Sequence, residues 1–154
     1  MTICEEDGTI GNLADKGMGG IQLMILLMRL AIIIRTDIKN KMSTIVLLEE
    51  PEQNLHPAFQ SKLSMLFYEI NKKYGIRFIV ETHSEYMIRS SQVIVAKKQF
   101  CDDEVLRKEN PFKVYYFPTI EEPYQMQYRR DGNFSNEFGK GFFDEANNLL
   151  FEIL

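Results

Sequence analysis

Residues 45–57 read IVLLEEPEQNLHP. Four branched apolar residues run straight into two glutamates, a proline and a third glutamate, and a histidine follows just before a second proline. A continuous apolar run predicts a strand over 44–49, buried on both faces as in a parallel sheet flanked by helices. Pro57 suits the first turn of a helix, where its missing N–H costs nothing. From there Phe59, Leu63, Leu66, Phe67 and Ile70 recur at helical spacing to about Tyr74. Gly75 then caps the helix, and IRFIV (76–80) is the next strand. A strand, helix and strand joined at these lengths favour a parallel pair with a right-handed crossover.

Both strands run into polar chemistry. The first ends in Glu49-Glu50, the second in Glu81-Thr82-His83-Ser84. Neighbouring parallel strands would deliver these groups to one carboxyl-terminal sheet edge, where open α/β sheets place their ligands. Carboxylates this close repel one another unless a cation or water intervenes. A hydrated Mg²⁺ suits the need, since it takes one or two carboxylates and leaves its other positions to water and phosphate oxygens.

Working outward, the glycines of GMGG (17–20) predict a sharp turn into a helix over about 20–36. The apolar stretch Ile21–Ile34 is 14 residues long and carries Arg29 in its middle. A bilayer span needs ~20 apolar residues, so this one reads as a buried core helix and no membrane is implied. EEDG (5–8) and TIGN (9–12) are turn signals. Downstream, THSEYMIRSS reads as a short helix and VIVA (93–96) and KVYYF (113–117) as strands. KKQFCDDEVLRKEN (97–110) reads as a polar loop, YQMQYRR (124–130) alternates, and DGN (131–133) marks a turn. A helical apolar stripe closes the chain through Phe143, Ala146, Leu150 and Phe151 or Leu154. One α/β domain over 1–154 fits, with about 118–154 as a C-terminal extension.

Composition narrows the function classes. The 154 residues suffice for one domain with a core. Net charge is −4, from 22 acidic and 18 basic residues, so a broadly basic nucleic-acid surface is not indicated. Lys97, Lys98, Arg129 and Arg130 read as solvated charges. Cys4 and Cys101 form no CxxC pair, which fits two reduced thiols in a cytoplasmic protein.

Three segments carry a family resemblance. LLEEPEQNLHP resembles the Walker B strand and following loop of ATP-binding-cassette-type ATPases. VETHSEYMI resembles their switch-histidine segment, and DKGMGGIQLM their signature loop. The order of the three is the family's order. The wording EEPE..LHP and ETHSE is similar to the OLD-like branch of prokaryotic AAA ATPases, many of which serve in anti-phage defence, and the tail DGNFSNEFGKGFFDEA resembles an extension some of them carry. The resemblance spans about residues 12–145. It implies a partial P-loop NTPase sheet with helices on its faces, using ATP and Mg²⁺. Glu49 would organise the metal through water, Glu50 would polarise the attacking water, and His83 would sense the γ-phosphate. Gly19, Gly20 and Gln22 would contact nucleotide held by a second copy, making a homodimer, and Asn54, Leu55 and His56 would fall on the D-loop at that interface. A nuclease or other effector would be a further partner.

Two departures from the family pattern bear on activity. Glu49 stands where most of the wider family has Asp, one methylene shorter. No GxxxxGK(S/T) occurs in the 154 residues, so the backbone and lysine cradle for phosphates is missing. The resemblance therefore implies the C-terminal part of a nucleotide-binding domain, binding ATP weakly and inactive without a P-loop-bearing N-terminal lobe. Two other classes fit the same residues: a metal-dependent hydrolase with Glu49, Glu50, Glu81, His56 and His83 as direct ligands, and a non-catalytic dimerisation scaffold.

Overall fold

In the computed structural model, residues 2–4, 10–12, 17–40 and 43–153 are described. The first element is a hairpin of β1 (Thr2–Cys4) antiparallel to β2 (Ile10–Asn12), with Cys4 opposite Ile10. The expected EEDG turn and the start of DKGMGG, Asp15 and Lys16, lie outside the described residues. Helix α1 (Gly17–Asn40) leads to β3 (Ile45–Glu49), and α2 (Pro57–Tyr74) crosses over to β4 (Arg77–Glu81). Strands β3 and β4 pair in parallel with Ile45 opposite Arg77 and Glu49 opposite Glu81. This mixed α/β arrangement agrees with a partial P-loop NTPase-like fold. Two compact units are present, Met1–Ser84 and Glu85–Leu154.

In the first unit, α2 is delimited as its sequence dictates. Pro57 opens it, the His56 ring nitrogen Nδ1 accepts from Ala58 N–H at 3.2 Å, and Gly75 ends it with a left-handed φ of 73°. Lys72 and Lys73 sit in the last turn, where cations favour the helix dipole. Leu63, Phe67 and Ile70 are buried together with Val46 and Ile76, and the Phe67 and Phe78 rings stack with centroids 4.8 Å apart.

Two expectations are corrected here. Strand β3 is buried on one face only: Val46 is 8% exposed, whereas Leu47 and, on β4, Ile79 are 72% and 60% exposed. Side chains alternate along a strand, and among the described residues the Leu47 and Ile79 face of this two-stranded sheet is left open. Helix α1 is longer than its apolar core and largely exposed; Leu30 and Asp37 are buried, but Met18, Ile25, Met28 and Ile32 face out. By length and composition it is the one described helix that could cross a membrane. Its ends, however, are tied to the α/β unit, through Asn54 Nδ2 donating to Gln22 Oε1 at 3.1 Å and Thr44 Oγ1 donating to the buried Asp37.

The second unit begins with α3 (Glu85–Lys97), which absorbs the expected strand at 93–96. Met87, Ile88, Ser91, Gln92, Ile94 and Val95 are buried while Val93 is half-exposed, a helical rather than alternating pattern. β-Branched residues lower helix propensity only slightly, and a buried stripe outweighs that. The expected loop at 97–110 contains α4 (Asp103–Glu109), capped by Asp102 accepting from Val105 N–H at 2.8 Å and pinned by buried Leu106. That hydrogen bond holds the Asp102 carboxyl below its usual range. Strands β5 (Val114–Tyr116) and β6 (Tyr124–Met126) pair antiparallel, and α5 (Glu145–Ile153) ends the described chain. Tyr116, Phe134, Phe138, Phe142 and Phe143 form a continuous aromatic cluster.

Burial pushes the Tyr128 phenol up to about 12, although a hydrogen bond with Ser91 Oγ opposes the shift. The folded state therefore favours the neutral phenol. Stability from this source is complete below pH ~10 and lost as pH rises through about 12. In an ultraviolet titration of phenolate, Tyr128 is expected to ionise last. Tyr128→Phe should remove that final step and flatten the loss of stability between the two pH values; an unchanged titration would show that the phenol is solvated.

A candidate active site at the carboxyl ends of two parallel strands

In-register pairing ends β3 and β4 level with each other, at Glu49 and Glu81. The chain then turns sharply. Glu50 N–H donates to Glu81 C=O at 3.0 Å, and Glu50 adopts φ 41°, a left-handed conformation uncommon for a residue other than glycine. Gln53 N–H closes the turn onto Glu50 C=O at 3.0 Å. Strain of this kind persists where surrounding structure imposes it, and it clusters at functional sites. Its result is to bring Glu50 Oε1 within 3.3 Å of His83 Nε2. Both side chains reach solvent, His83 being 75% and Glu50 38% exposed, so the pair contributes little to stability.

Beneath this pair lies Glu52, only 6% exposed. Its Oε1 accepts from Thr82 Oγ1 and from His83 N–H, the latter at 2.9 Å, while Oε2 is buried with no hydrogen-bond partner among the described residues. Ser84 N–H donates to Thr82 Oγ1 at 3.0 Å, Ser84 Oγ donates to Gln60 Oε1 at 2.6 Å, and Gln60 Nε2 donates to Leu55 C=O at 2.9 Å. The loops after β3 and β4 and the first turn of α2 are thus one hydrogen-bonded unit. They line a shallow, solvent-open cavity of about 240 Å³ formed by Glu50, Glu52, Gln53, Asn54 and His83, with Gln60 and Ser84.

The structure thus brings together Glu50, Asn54 and His83 of the residues anticipated from sequence. Glu49 is exposed at the end of β3 and does not line the cavity. His56 also lies outside it, serving as the cap of α2. Gln22 reaches the site's margin through Asn54. Gly19 lies against that same residue: a Cβ there would stand 2.9 Å from the Asn54 carbonyl carbon. Asn54 itself is left-handed, with φ 60°. Gly20 belongs to the first turn of α1 and is partly exposed. Sequence reasoning gave no role to Glu52 or Gln60. The only signal for Glu52 was a third acid directly after Pro51, and burial of an acid is decided by tertiary packing.

The AAA ATPase domain matches residues 2–88, more than half of the chain and all of this site. The chain belongs to the AAA ATPase family. No curated protein and no solved structure matches it.

AAA ATPases as a family use nucleotide and Mg²⁺. The donor set of this AAA ATPase chain, rich in oxygen acceptors and holding one buried carboxylate oxygen without a donor, fits the side of such a site that faces a hydrated cation and water. It does not fit the phosphate side, which needs a row of donors and a lysine. Among the described residues, no group of three or more His, Cys, Asp or Glu side chains could hold a metal ion directly.

Proposed function

We propose that this chain supplies the water-activating half of an ATP-hydrolysing site of the ATP-binding-cassette, OLD-like type, and hydrolyses ATP only when joined to a P-loop-bearing lobe. The observation that carries this reading is the Glu50–His83 pair, 3.3 Å apart, where two in-register parallel strands end. A carboxylate beside an imidazole suits a phosphoryl transfer in which a water must be oriented and developing charge on the phosphate offset. Glu50 accepts the hydrogen bond from the attacking water. His83, held on Glu50, presents its ring to the γ-phosphate. Glu49, at the exposed end of β3, holds a hydrated Mg²⁺ through water. Mg²⁺, when bound, neutralises charge on the phosphate oxygens.

Gly19, Gly20 and Gln22 at the start of α1, with Asn54, are proposed to meet nucleotide bound by a second copy, so that the working form is a dimer. Support comes from the contacts of Gly19 and Gln22 with Asn54, which join the signature-like helix to the D-loop-like turn. His56, two residues after Asn54, is proposed to lie near the same interface. Anti-phage defence, with a nuclease or other effector as partner, is the setting proposed from the wording of these motifs.

The reading is tested by measuring ATP binding and phosphate release with the chain alone and with a P-loop-bearing lobe supplied on the same or another polypeptide. Weak binding and no turnover alone, with turnover in the combination, is the expected result. Turnover by the isolated chain, or a tightly held transition metal after dialysis, would overturn it.

A further inference from the structure

We propose that Glu52 is the positioning residue of this site: its buried carboxylate holds the Thr82–His83 segment so that the His83 ring stays on Glu50. The inference takes its functional meaning from the ATPase reading above, although its structural content can be tested without ATP.

Three observations carry it. Glu52 follows Glu50 by two residues yet is buried where Glu50 is partly exposed. Its Oε1 receives both the Thr82 hydroxyl and the His83 backbone N–H, so one atom fixes the side chain and the main chain on either side of the Thr82–His83 peptide. Its Oε2 is buried without a donor among the described residues. A buried carboxylate with an unsatisfied oxygen is a poor device for stability, because desolvation costs more than two hydrogen bonds return. What it supplies is geometry. The turn carrying Glu50 and the loop carrying His83 belong to different strands, and Glu52 joins them directly. Glu52 also lines the same cavity as Glu50 and His83, so the clamp lies at the site itself.

Glu52 touches no reacting atom in this scheme, so its substitution should uncouple His83 from Glu50 rather than remove a chemical group. The chain has two histidines, which makes the His83 ring signals assignable by NMR. In the otherwise unaltered chain, Glu50→Gln is expected to move those signals. In a Glu52→Ala background the same change should leave them still, and the His83 amide should exchange with solvent at least ~10-fold faster, with amides of Phe67 and Ile70 unchanged. Glu52→Gln should restore the response, since its carbonyl oxygen accepts from both donors. A His83 response to Glu50→Gln that persists in Glu52→Ala would overturn the proposal, even if that variant is less stable. Should Glu52→Ala not fold, Thr82→Val decides: faster His83 exchange and a weakened response support the role, and wild-type behaviour in both refutes it. Failure of the ATPase reading is distinct, since it would appear as ATP turnover indifferent to Glu50 while this coupling remained.

Discussion

Glu50→Gln, in an assembly of this chain with a P-loop-bearing lobe, is expected to lower ATP turnover by about 10²–10⁴-fold while nucleotide binding is retained. Glutamine keeps the size and the hydrogen-bonding reach of glutamate, so the turn closed by Glu50 N–H on Glu81 and by Gln53 on Glu50 should survive. What is lost is the negative oxygen facing His83 Nε2 at 3.3 Å, and with it the group proposed to draw a proton from water. The left-handed Glu50 backbone is consistent with this expectation, because such conformations cluster at functional sites. Binding should be spared because, in the proposed function, the strongest contacts to the phosphates would come from the P-loop-bearing lobe. A single-turnover assay with a parallel nucleotide-binding measurement separates the two. Turnover within a few-fold of wild type would mean that Glu50 does not activate water, and Glu49 or Glu52 would have to be considered instead.

The second large effect concerns Gly19→Ala. In an exposed helix interior, alanine is favoured over glycine by about 1 kcal/mol, so propensity alone predicts a more stable protein. The tertiary structure predicts the opposite sign. A methyl group at Gly19 would be driven into the backbone carbonyl of Asn54, 2.9 Å from its carbon, and neither side can yield without moving α1 or the turn. Overpacking of this kind costs about 1–3 kcal/mol, occasionally more. A lower urea midpoint for Gly19→Ala at unchanged slope is therefore expected. The Gln22–Asn54 hydrogen bond should be disturbed with it, and turnover of the complete ATPase should fall because Asn54 lines the site. A higher midpoint would show that α1 does not pack on Asn54, which would remove the link between the signature-like helix and the catalytic turn.

Much of the architecture was legible before any coordinates. The parallel pair of β3 and β4 and the crossover helix between them followed from a branched apolar run, from Pro57 and Gly75 as start and stop signals, and from the period of Leu63, Phe67 and Ile70. The arrival of Glu50 and His83 at one sheet edge followed from where the two strands stop. Other features were misread for identifiable reasons. VIVA at 93–96 has the composition of a strand, but its buried positions continue the helical stripe begun at Met87. Asp102, Leu106 and the flanking charges of α4 carried ordinary capping signals inside a stretch whose polarity suggested a loop. The apolar content of α1 suggested burial, whereas much of its surface is open.

The amino-acid sequence by itself determined the local elements, the parallel order of the two motif-bearing strands and the arrival of acids and an imidazole at one sheet edge, because these depend on periodicity, turn chemistry and connection length. Only the tertiary structure decided which acid meets which partner. Glu49, Glu50 and Glu52 lie within four residues of one another, yet one is exposed at a strand end, one is aimed at His83 by a left-handed turn, and one is buried as a clamp on Thr82 and His83. Their sequence environments are nearly the same. Their fates differ because the φ angle of Glu50 and the packing of the two loops are set by contacts between segments some thirty residues apart, which no local pattern encodes.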